Sequence, residues 1–104
     1  RDASKVSAFY EKIRKRWPTR SCAMYLIELI YKVGLSEQMA RTYTEIYYKE
    51  RSINKSDEYS RFYIELLIKG IEAERAKSYY YIYTKERNDG RSKEYAERYI
   101  ELLQ

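Results

Sequence analysis

Three glutamates, Glu28, Glu65 and Glu101, recur along the chain, each inside an Ile-Glu-Leu-Leu or Ile-Glu-Leu-Ile stretch. Clustered carboxylates can bind a metal ion or act as general acid and base. Glu28 and Glu65 are each followed four residues later by a lysine, an arrangement that pairs opposite charges on a solvated helix face. The chain has no histidine and no acidic loop with calcium-binding spacing. We therefore interpret the glutamates as solvated ion-pair partners and predict no metal site.

Cys22 is the only cysteine, which excludes an internal disulfide and a cysteine-histidine zinc site. A thiol nucleophile needs a base, and the chain has no histidine to serve as one. Because Cys22 stands among apolar residues, we predict a small buried thiol. No nucleophile-base pair or metal constellation is present, so we predict no catalytic residues and no enzyme activity for this chain alone.

The only glycines, Gly34, Gly70 and Gly90, stand at predicted turns or helix ends and form no glycine-rich phosphate loop. We therefore predict no cofactor within this domain. ATP or another nucleotide stays open as a ligand, because basic side chains and tyrosines on facing helices can hold a phosphate and a base without a loop signature.

The chain carries 21 Lys and Arg against 16 Asp and Glu, a net charge of +5, together with fourteen tyrosines. A positive excess suits a polyanion such as nucleic acid. On a helical wheel Tyr48 lies with Arg41, Glu45 and Arg51, and Tyr81 lies with Lys77 and Lys85. Both rings are therefore expected to point outward next to positive charge. Such rings suit stacking with bases of single-stranded nucleic acid. The alternative is that each ring packs along its own helix on lysine stems.

The predicted nucleic-acid-binding residues share positive charge or an aromatic ring beside it. They are Arg14, Lys15, Arg16, Trp17, Arg20, Tyr48, Lys49, Arg51, Lys77, Tyr81, Lys85, Arg87 and Arg91. Two Lys-Glu-Arg stretches, 49–51 and 85–87, close equivalent helices, so we expect them on the same end of the fold. Compensation of helix dipoles explains basic residues in last turns equally well without a ligand.

An internal repeat positions these residues. Residues 43–67 match residues 79–103 at fourteen of 25 positions, and the repeated glutamate stretches are separated by 37 and 36 residues. A period of this length is typical of a repeated helix pair that cannot bury its apolar face alone.

Apolar residues at helical spacing predict six helices and no sheet. The predicted caps of the repeated helices are Thr19 or Ser21, then Ser56, then Ser92, and Gly34 and Gly70 end the first two of these helices. We predict a polar linker at 52–55. The inward residues expected are Val6, Phe9, Tyr10, Ile13 and Trp17 in a leading helix that ends near Pro18, then Cys22, Tyr25, Leu26, Leu29, Ile30 and Val33, then Met39, Ala40, Tyr43, Ile46 and Tyr47, then Tyr59, Phe62, Tyr63, Leu66 and Leu67, then Ala76, Tyr79, Tyr80, Ile82 and Tyr83, and finally Tyr95, Tyr99, Leu102 and Leu103.

The predicted fold class is therefore all-α, a six-helix bundle of about two and a half αα-hairpin repeats plus the leading helix, with a short solenoid as the alternative. We expect residues 1–104 to form a single domain, excised from a longer protein. No membrane span or signal peptide is indicated, and we expect a cytoplasmic location. Frequent ion-pair spacing and few Asn and Gln favour a thermophile.

Residues 29–53 contain Lys32-Val33-Gly34, Glu37 and Ala40 before an amphipathic helix, and this order resembles the hairpin of pentatricopeptide and tetratricopeptide repeats. That resemblance implies an RNA- or peptide-binding groove. The length, the helical Tyr/Arg/Lys/Glu character and the basic faces of the whole chain resemble the helical bundle domain that follows the catalytic domain in archaeal plasmid primase-polymerases. This second resemblance implies binding of template DNA and a nucleoside triphosphate.

Two functions follow as hypotheses. The first is a noncatalytic module that binds nucleic acid, with single-stranded DNA favoured. The second is a helical-repeat scaffold whose tyrosines contact a peptide or the remainder of the parent protein. A continuous positive face favours the first, and an exposed tyrosine-rich apolar patch favours the second.

Overall fold

The computed structural model describes residues 8, 10–12, 14, 15, 19–54 and 56–104. Regular secondary structure in this part of the chain is entirely helical, which confirms the all-α fold class. The described residues between 8 and 15 are helical. The bounded helices that follow are α1 (Arg20–Glu28), α2 (Glu37–Asn54), α3 (Asp57–Ile68), α4 (Ala73–Asn88) and α5 (Lys93–Leu103), with a π-helical turn (Leu29–Val33) after α1.

The chain divides into two compact units, Arg1–Ile53 and Asn54–Gln104. The first contains α1, the π-helical turn and nearly all of α2, and the second contains α3, α4 and α5. The single domain expected for residues 1–104 stays a prediction. Most of the stripe predicted for the leading helix, namely Val6, Phe9, Ile13 and Trp17, lies outside the described residues.

The predicted helix caps are confirmed at equivalent places in the repeat. The hydroxyl oxygens of Thr19 and Ser56 accept hydrogen bonds from backbone N–H groups three residues later, at 3.3 and 3.1 Å. Ser92 does the same at 3.0 Å. Each bond satisfies a backbone N–H group that the first turn of a helix otherwise leaves without a partner.

The π-helical turn explains why the repeat period changes from 37 to 36 residues. In the first unit, 15 residues separate the capping Thr19 from Gly34, whereas 14 separate Ser56 from Gly70. Both glycines have a left-handed backbone, with φ near 94° and 95°. The N–H of Gly34 reaches back five residues to the carbonyl of Leu29 (3.1 Å), which closes a turn wider than an α-helical one. The extra residue is therefore absorbed in this turn.

This insertion also changes which residues of the first unit face inward. Cys22, Tyr25, Leu26 and Leu29 are buried as predicted, but Val33 is 50% exposed. The inward position expected for Val33 is wrong. A π-helical turn contains more residues than an α-helical turn, so residues after Leu29 are rotated relative to the predicted stripe and Val33 faces solvent.

Tyr25 of α1 stacks on Tyr47 of α2 in the core of the first unit, with 4.3 Å between ring centroids and 28° between planes. The buried row of α2 comprises Ala40, Thr44, Tyr47 and Glu50. The inward position predicted for Met39 is wrong, because this residue precedes the buried row by about 100° of helical rotation and is exposed.

The linker predicted at 52–55 is wrong for its described part, because α2 continues through Asn54. The Ser52 hydroxyl donates a hydrogen bond to the carbonyl of Tyr48 (3.0 Å), as polar side chains on an exposed helix face do. The Asn54 side-chain oxygen then accepts the N–H of Ser56 (2.7 Å), so the turn between α2 and α3 is built on one asparagine.

Aromatic pairs join α3 to α4 in the second unit. Phe62 stacks on Tyr83 with 3.8 Å between centroids and 10° between planes. Tyr63 meets Tyr80 at 5.8 Å and 61°. Offset and edge-on ring contacts of this kind add to the free energy gained by burying the rings. The inward positions predicted for these residues are confirmed by their burial.

Helix α5 packs against α4, and its buried residues are Ala96 and Ile100. The predicted inward residues Tyr95, Tyr99, Leu102 and Leu103 are exposed, so this prediction is wrong. The physical reason is that α5 presents only one of its two apolar faces to α4.

Candidate nucleic-acid interface

Lys77, Tyr81 and Lys85 follow one another at four-residue steps on α4, and we call them the Tyr81 row. Tyr81 is 65% exposed, Lys85 is exposed and Lys77 is half-buried. Residues four apart on a helix are neighbours on its surface. The structure therefore brings together one exposed aromatic ring and two lysines that the sequence predicted as nucleic-acid-binding residues.

Buried rings position the first member of this row. The Nζ atom of Lys77 lies 4.4 Å from the ring centroid of Tyr63 and 5.3 Å from that of Tyr80. The Tyr80 ring in turn lies 5.8 Å from the Tyr81 ring, and its hydroxyl oxygen accepts a hydrogen bond from the Asn54 amide (2.6 Å). A cation held over aromatic faces is attracted by their quadrupoles, which restrains Lys77 beside the exposed ring.

The equivalent row on α2 differs in charge. Arg41, Glu45 and Lys49 occupy the places of Lys77, Tyr81 and Lys85 in the repeat. Thus a carboxylate replaces the exposed ring in the first unit. Arg41 also forms an ion pair with Glu37 on its own helix. These differences make the row on α4 the better match for a polyanion.

Tyr48 and Lys49 of the first unit are both exposed, as their predicted role requires. Tyr48 corresponds to Thr84 in the repeat and therefore is not the counterpart of Tyr81. The Arg51 guanidinium is half-buried and donates a hydrogen bond to the Tyr47 hydroxyl (3.1 Å). Arg51 is accordingly positioned by its own helix.

Arg87 is bound within the second unit. Its Nε lies 2.7 Å from Glu58 Oε2, and its Nη1 donates to the carbonyl oxygen of Arg91 at 2.7 Å. The hydroxyl of Tyr83 donates to the same Glu58 oxygen at 2.5 Å. We call Glu58, Tyr83 and Arg87 the Glu58 cluster. Sequence reasoning missed this cluster, although Tyr83 and Arg87 both recur in the repeat, as Tyr47 and Arg51.

The Glu58 cluster has defined protonation states near neutral pH. The Arg87 guanidinium lowers the pKa of the Glu58 carboxyl, and the Tyr83 hydroxyl acts in the same direction. Burial and the neighbouring Glu58 raise the pKa of Tyr83. The carboxylate is therefore charged, the phenol keeps its proton, and the positive charge of Arg87 is balanced inside the protein.

Arg91, the last predicted basic residue, is also engaged. Its Nε lies 3.3 Å from Glu86, and its guanidinium carbon lies 5.4 Å from the ring centroid of Tyr95. Exposed ion pairs of this kind contribute little to stability. Arg91 therefore remains accessible to an anionic ligand, which would replace the Glu86 carboxylate as its partner.

The basic residues near the start of the chain are described in part. Arg14 and Lys15 are helical and exposed, and Arg20 is the exposed first residue of α1. Arg16 and Trp17 lie outside the described residues. Because the Lys-Glu-Arg stretches at 49–51 and 85–87 belong to different units, their expected location on one edge stays a prediction.

An open cleft of about 160 Å³ lies in the second unit beside α3. Carboxylates outnumber basic groups in its lining, which consists of Asp57, Glu58, Arg61, Phe62, Glu65, Tyr83, Lys93 and Glu97. Asp57 pairs with Arg61 at 2.9 Å. Desolvation and the nearby Glu97 raise the pKa of Glu65. An excess of carboxylates repels phosphate, so this cleft does not suit a nucleotide.

The predicted burial of Cys22 is confirmed, since its side chain is 1% exposed. Burial raises the pKa of its thiol, which favours the unreactive protonated form. In the described part of the chain, no three His, Cys, Asp or Glu side chains come close enough together to hold a metal ion. Nor is any helix described there both long and apolar enough to cross a membrane.

The chain matches no protein-family model, no curated protein and no solved structure.

Proposed function

We propose that this chain is a noncatalytic module that binds nucleic acid, with single-stranded DNA as the preferred ligand and the Tyr81 row as the centre of the site. The observation that carries the proposal is the exposed Tyr81 ring between Lys77 and Lys85, in a row without a carboxylate. The net charge of +5 supports the same choice of ligand.

In this proposal a base stacks on the Tyr81 ring, and the two lysines contact phosphates on either side. Lys77 and Lys85 are eight residues apart, about 12 Å along an α-helix, so a strand lying along α4 can meet both of them. Stacking on an aromatic face tolerates any base, and phosphate contacts carry no sequence information. The proposed binding is therefore strong at low salt and weakly dependent on sequence.

Further predicted residues, all of the first unit, are proposed as separate contacts with nucleic acid. Arg14, Lys15 and Arg20 add positive charge near the start of the chain, and Tyr48 and Lys49 add a second ring and cation. The resemblance to the helical domain of archaeal plasmid primase-polymerases supplies a context, in which the module binds template DNA and a nucleotide such as ATP in the cytoplasm while another domain performs the chemistry.

Fluorescence anisotropy with a labelled oligodeoxythymidylate about 16 nucleotides long tests the proposal. We expect binding at about 50 mM NaCl that weakens by at least about tenfold at about 200 mM, because phosphate contacts release counterions. Y81A should weaken binding by roughly fivefold or more, whereas Y81F, which keeps the aromatic face, should bind as the unchanged chain does.

Charge is tested with a matched pair of substitutions. K85Q removes a lysine of the Tyr81 row, and K69Q removes an exposed lysine at the end of α3. We expect K85Q to weaken binding and to reduce the slope of log binding constant against log salt concentration by about one, the value for one phosphate contact. K69Q should change the affinity and the slope less. Absence of binding at about 50 mM NaCl, or equal effects of the two substitutions, would contradict the proposal.

A further inference from the structure

Helix α5 has an exposed face that is rich in apolar groups. It comprises Tyr95, Arg98, Tyr99 and Leu102, and we call it the outer face of α5. Tyr95 is 50%, Tyr99 39% and Leu102 73% exposed. Large apolar side chains that are exposed together on one helix face are typical of a surface that contacts another protein.

The internal repeat identifies what covers such a face. The counterparts of Tyr95 and Tyr99 on α3 are Tyr59 and Tyr63. Tyr59 meets the Tyr83 ring of α4 edge-on, at 6.1 Å and 88°. Tyr63 meets the Tyr80 ring of α4 at 5.8 Å. On α3, therefore, this face is the contact surface for a following helix.

A carboxylate marks the same relationship. Glu94 stands at the repeat position of Glu58, which on α3 accepts hydrogen bonds from Arg87 and Tyr83 of α4. Glu94 is exposed and has no hydrogen-bond or ion-pair partner among the described residues. Helix α5 thus has, in Glu94, the counterpart of the carboxylate on α3 that binds Arg87, but no arginine of the described part of the chain is bound to it.

We propose that the outer face of α5 binds an amphipathic helix of a protein partner whose face repeats that of α4. Such a helix carries a small residue and then tyrosines at the spacing of Ala76, Tyr79, Tyr80 and Tyr83, followed by an arginine at the place of Arg87. The tyrosines meet Tyr95 and Tyr99, and the arginine meets Glu94.

A second copy of this chain does not offer that helix. The two helices with the required pattern are α2 and α4, and their central tyrosines, Tyr47 and Tyr83, are fully buried within their own units. Presenting either helix to another copy would require that unit to open. The occupant is therefore a helix that lies outside residues 1–104.

One residue of the outer face departs from the repeat. Arg98 occupies the position of Phe62, which on α3 stacks on Tyr83 at 3.8 Å. A guanidinium can also stack on an aromatic ring, but it buries less apolar surface than phenylalanine does. The complex is accordingly weaker than the packing of α3 on α4 and reversible, as expected for a partner helix.

A peptide with the sequence of residues 72–89 is the probe. A hydrocarbon link between positions 81 and 85 keeps it helical and leaves the face with Tyr79, Tyr83 and Arg87 unchanged. We expect it to bind the full chain and to shift the amide signals of α5, including those of Tyr95 and Tyr99. Y99S should weaken binding by about tenfold, since it removes an aromatic anchor.

The Glu94–arginine contact is tested with a double-mutant cycle. E94Q should weaken binding of the unchanged peptide by about fivefold, and should not alter binding of a peptide that carries R87Q. E101Q, which removes another exposed carboxylate of α5, is the matched control and should have little effect. The Y81A protein should bind the peptide normally, which separates this proposal from that of nucleic-acid binding.

Three results would overturn the inference. The first is absence of peptide binding by the folded chain. The second is equal weakening of peptide binding by E94Q and E101Q. That result would mean that the negative charge of α5 attracts the peptide without a specific contact between Glu94 and the arginine. The third is sedimentation showing that the chain forms dimers that Y99S dissociates, because the outer face would then be occupied by a second copy.

Discussion

The carboxylate of Glu58 at the start of α3 accepts a hydrogen bond from the guanidinium of Arg87 at the end of α4, with 2.7 Å between Oε2 and Nε and 3.3 Å between Oε1 and Nη2. The hydroxyl of Tyr83 donates to the same carboxylate. Bonds to a charged acceptor are stronger than those between neutral groups. This contact therefore fixes the antiparallel pairing of the two helices at one end.

Replacement of Glu58 by glutamine should destabilise the second unit. E58Q keeps the size of the side chain and removes its charge, so we expect a loss of about 1 kcal/mol in the free energy of unfolding, because solvent screens a partly exposed pair. E94Q alters the equivalent residue of α5, which has no partner among the described residues, and should have little effect. Urea denaturation followed by circular dichroism compares the two.

The difference between E58Q and the unchanged chain should depend on pH. The pKa of Glu58 is lowered in the folded state, chiefly by Arg87. The carboxylate therefore stabilises the fold above the pKa of the unfolded chain, and this stabilisation is lost as the pH falls through the folded-state pKa. The denaturation curves of the two proteins should differ at pH 7 and converge as the pH falls through the folded-state pKa of Glu58. A difference that does not change as the pH is lowered would contradict this assignment.

Removal of one residue from the π-helical turn should be tolerated. Deletion of Lys32 gives the first unit the same 14-residue distance between cap and glycine that the second unit has, so a regular α-helical end can form. We expect thermal denaturation to change by only a few degrees. Deletion of Ile68, near the equivalent place on α3, is the control.

The control deletion has no extra residue to remove. It rotates the end of α3 by about 100° relative to Gly70 and should lower the midpoint of thermal denaturation far more. If both deletions destabilise the chain equally, the π-helical turn is not the site of the inserted residue.

Helix starts could be predicted from the sequence because they depend on local chemistry, whereas the linker predicted at 52–55 ended α2 too early. Thr19, Ser56 and Ser92 cap helices by bonding to the backbone three residues away, and the glycines end helices through their own backbone angles. The fold class follows from the same signals together with the period of the apolar residues.

The faces of the last helix and the pairing of charges could not be predicted in this way. Tyr99 and Tyr63 are identical in type and neighbourhood, yet one is exposed and the other buried, because burial depends on whether a helix covers the position. Arg87 was predicted to contact phosphate because its partner, Glu58, lies 29 residues away in the sequence. A pairing over that distance depends on how the helices pack, which local sequence does not show. The exposure of Tyr81, by contrast, followed from its place on the helical wheel.

The Cys22 thiol should react slowly while the chain is folded. Burial raises its pKa, so both access and thiolate formation are reduced. We expect the reaction with Ellman's reagent at pH 8 to be at least about 100-fold slower than in denaturing urea, because it requires local opening. The single cysteine makes the stoichiometry unambiguous. Rapid reaction of one thiol in the folded chain would contradict the buried position.

Asn54 should contribute more to stability than an exposed turn residue does. Its amide nitrogen donates to the Tyr80 hydroxyl (2.6 Å), and its side-chain oxygen accepts from the N–H of Ser56 (2.7 Å). The same oxygen accepts a longer hydrogen bond from the Ser60 hydroxyl (3.4 Å). N54A removes all three contacts and should cost about 2 kcal/mol in the free energy of unfolding. N54D keeps the acceptor for Ser56 and replaces the donor to Tyr80, so we expect an intermediate loss.

A double-mutant cycle with Y80F separates the Tyr80 contact of Asn54 from its other contacts. The Y80F change removes the hydroxyl and leaves the ring that meets Tyr63 and Lys77. If the amide bond to Tyr80 is a real contribution, N54A should cost less in the Y80F background than in the unchanged chain, by about 0.5–1.5 kcal/mol. The cost that remains then belongs to the contacts of the Asn54 oxygen with the Ser56 N–H and the Ser60 hydroxyl. Equal costs in both backgrounds would assign the whole effect to these two contacts.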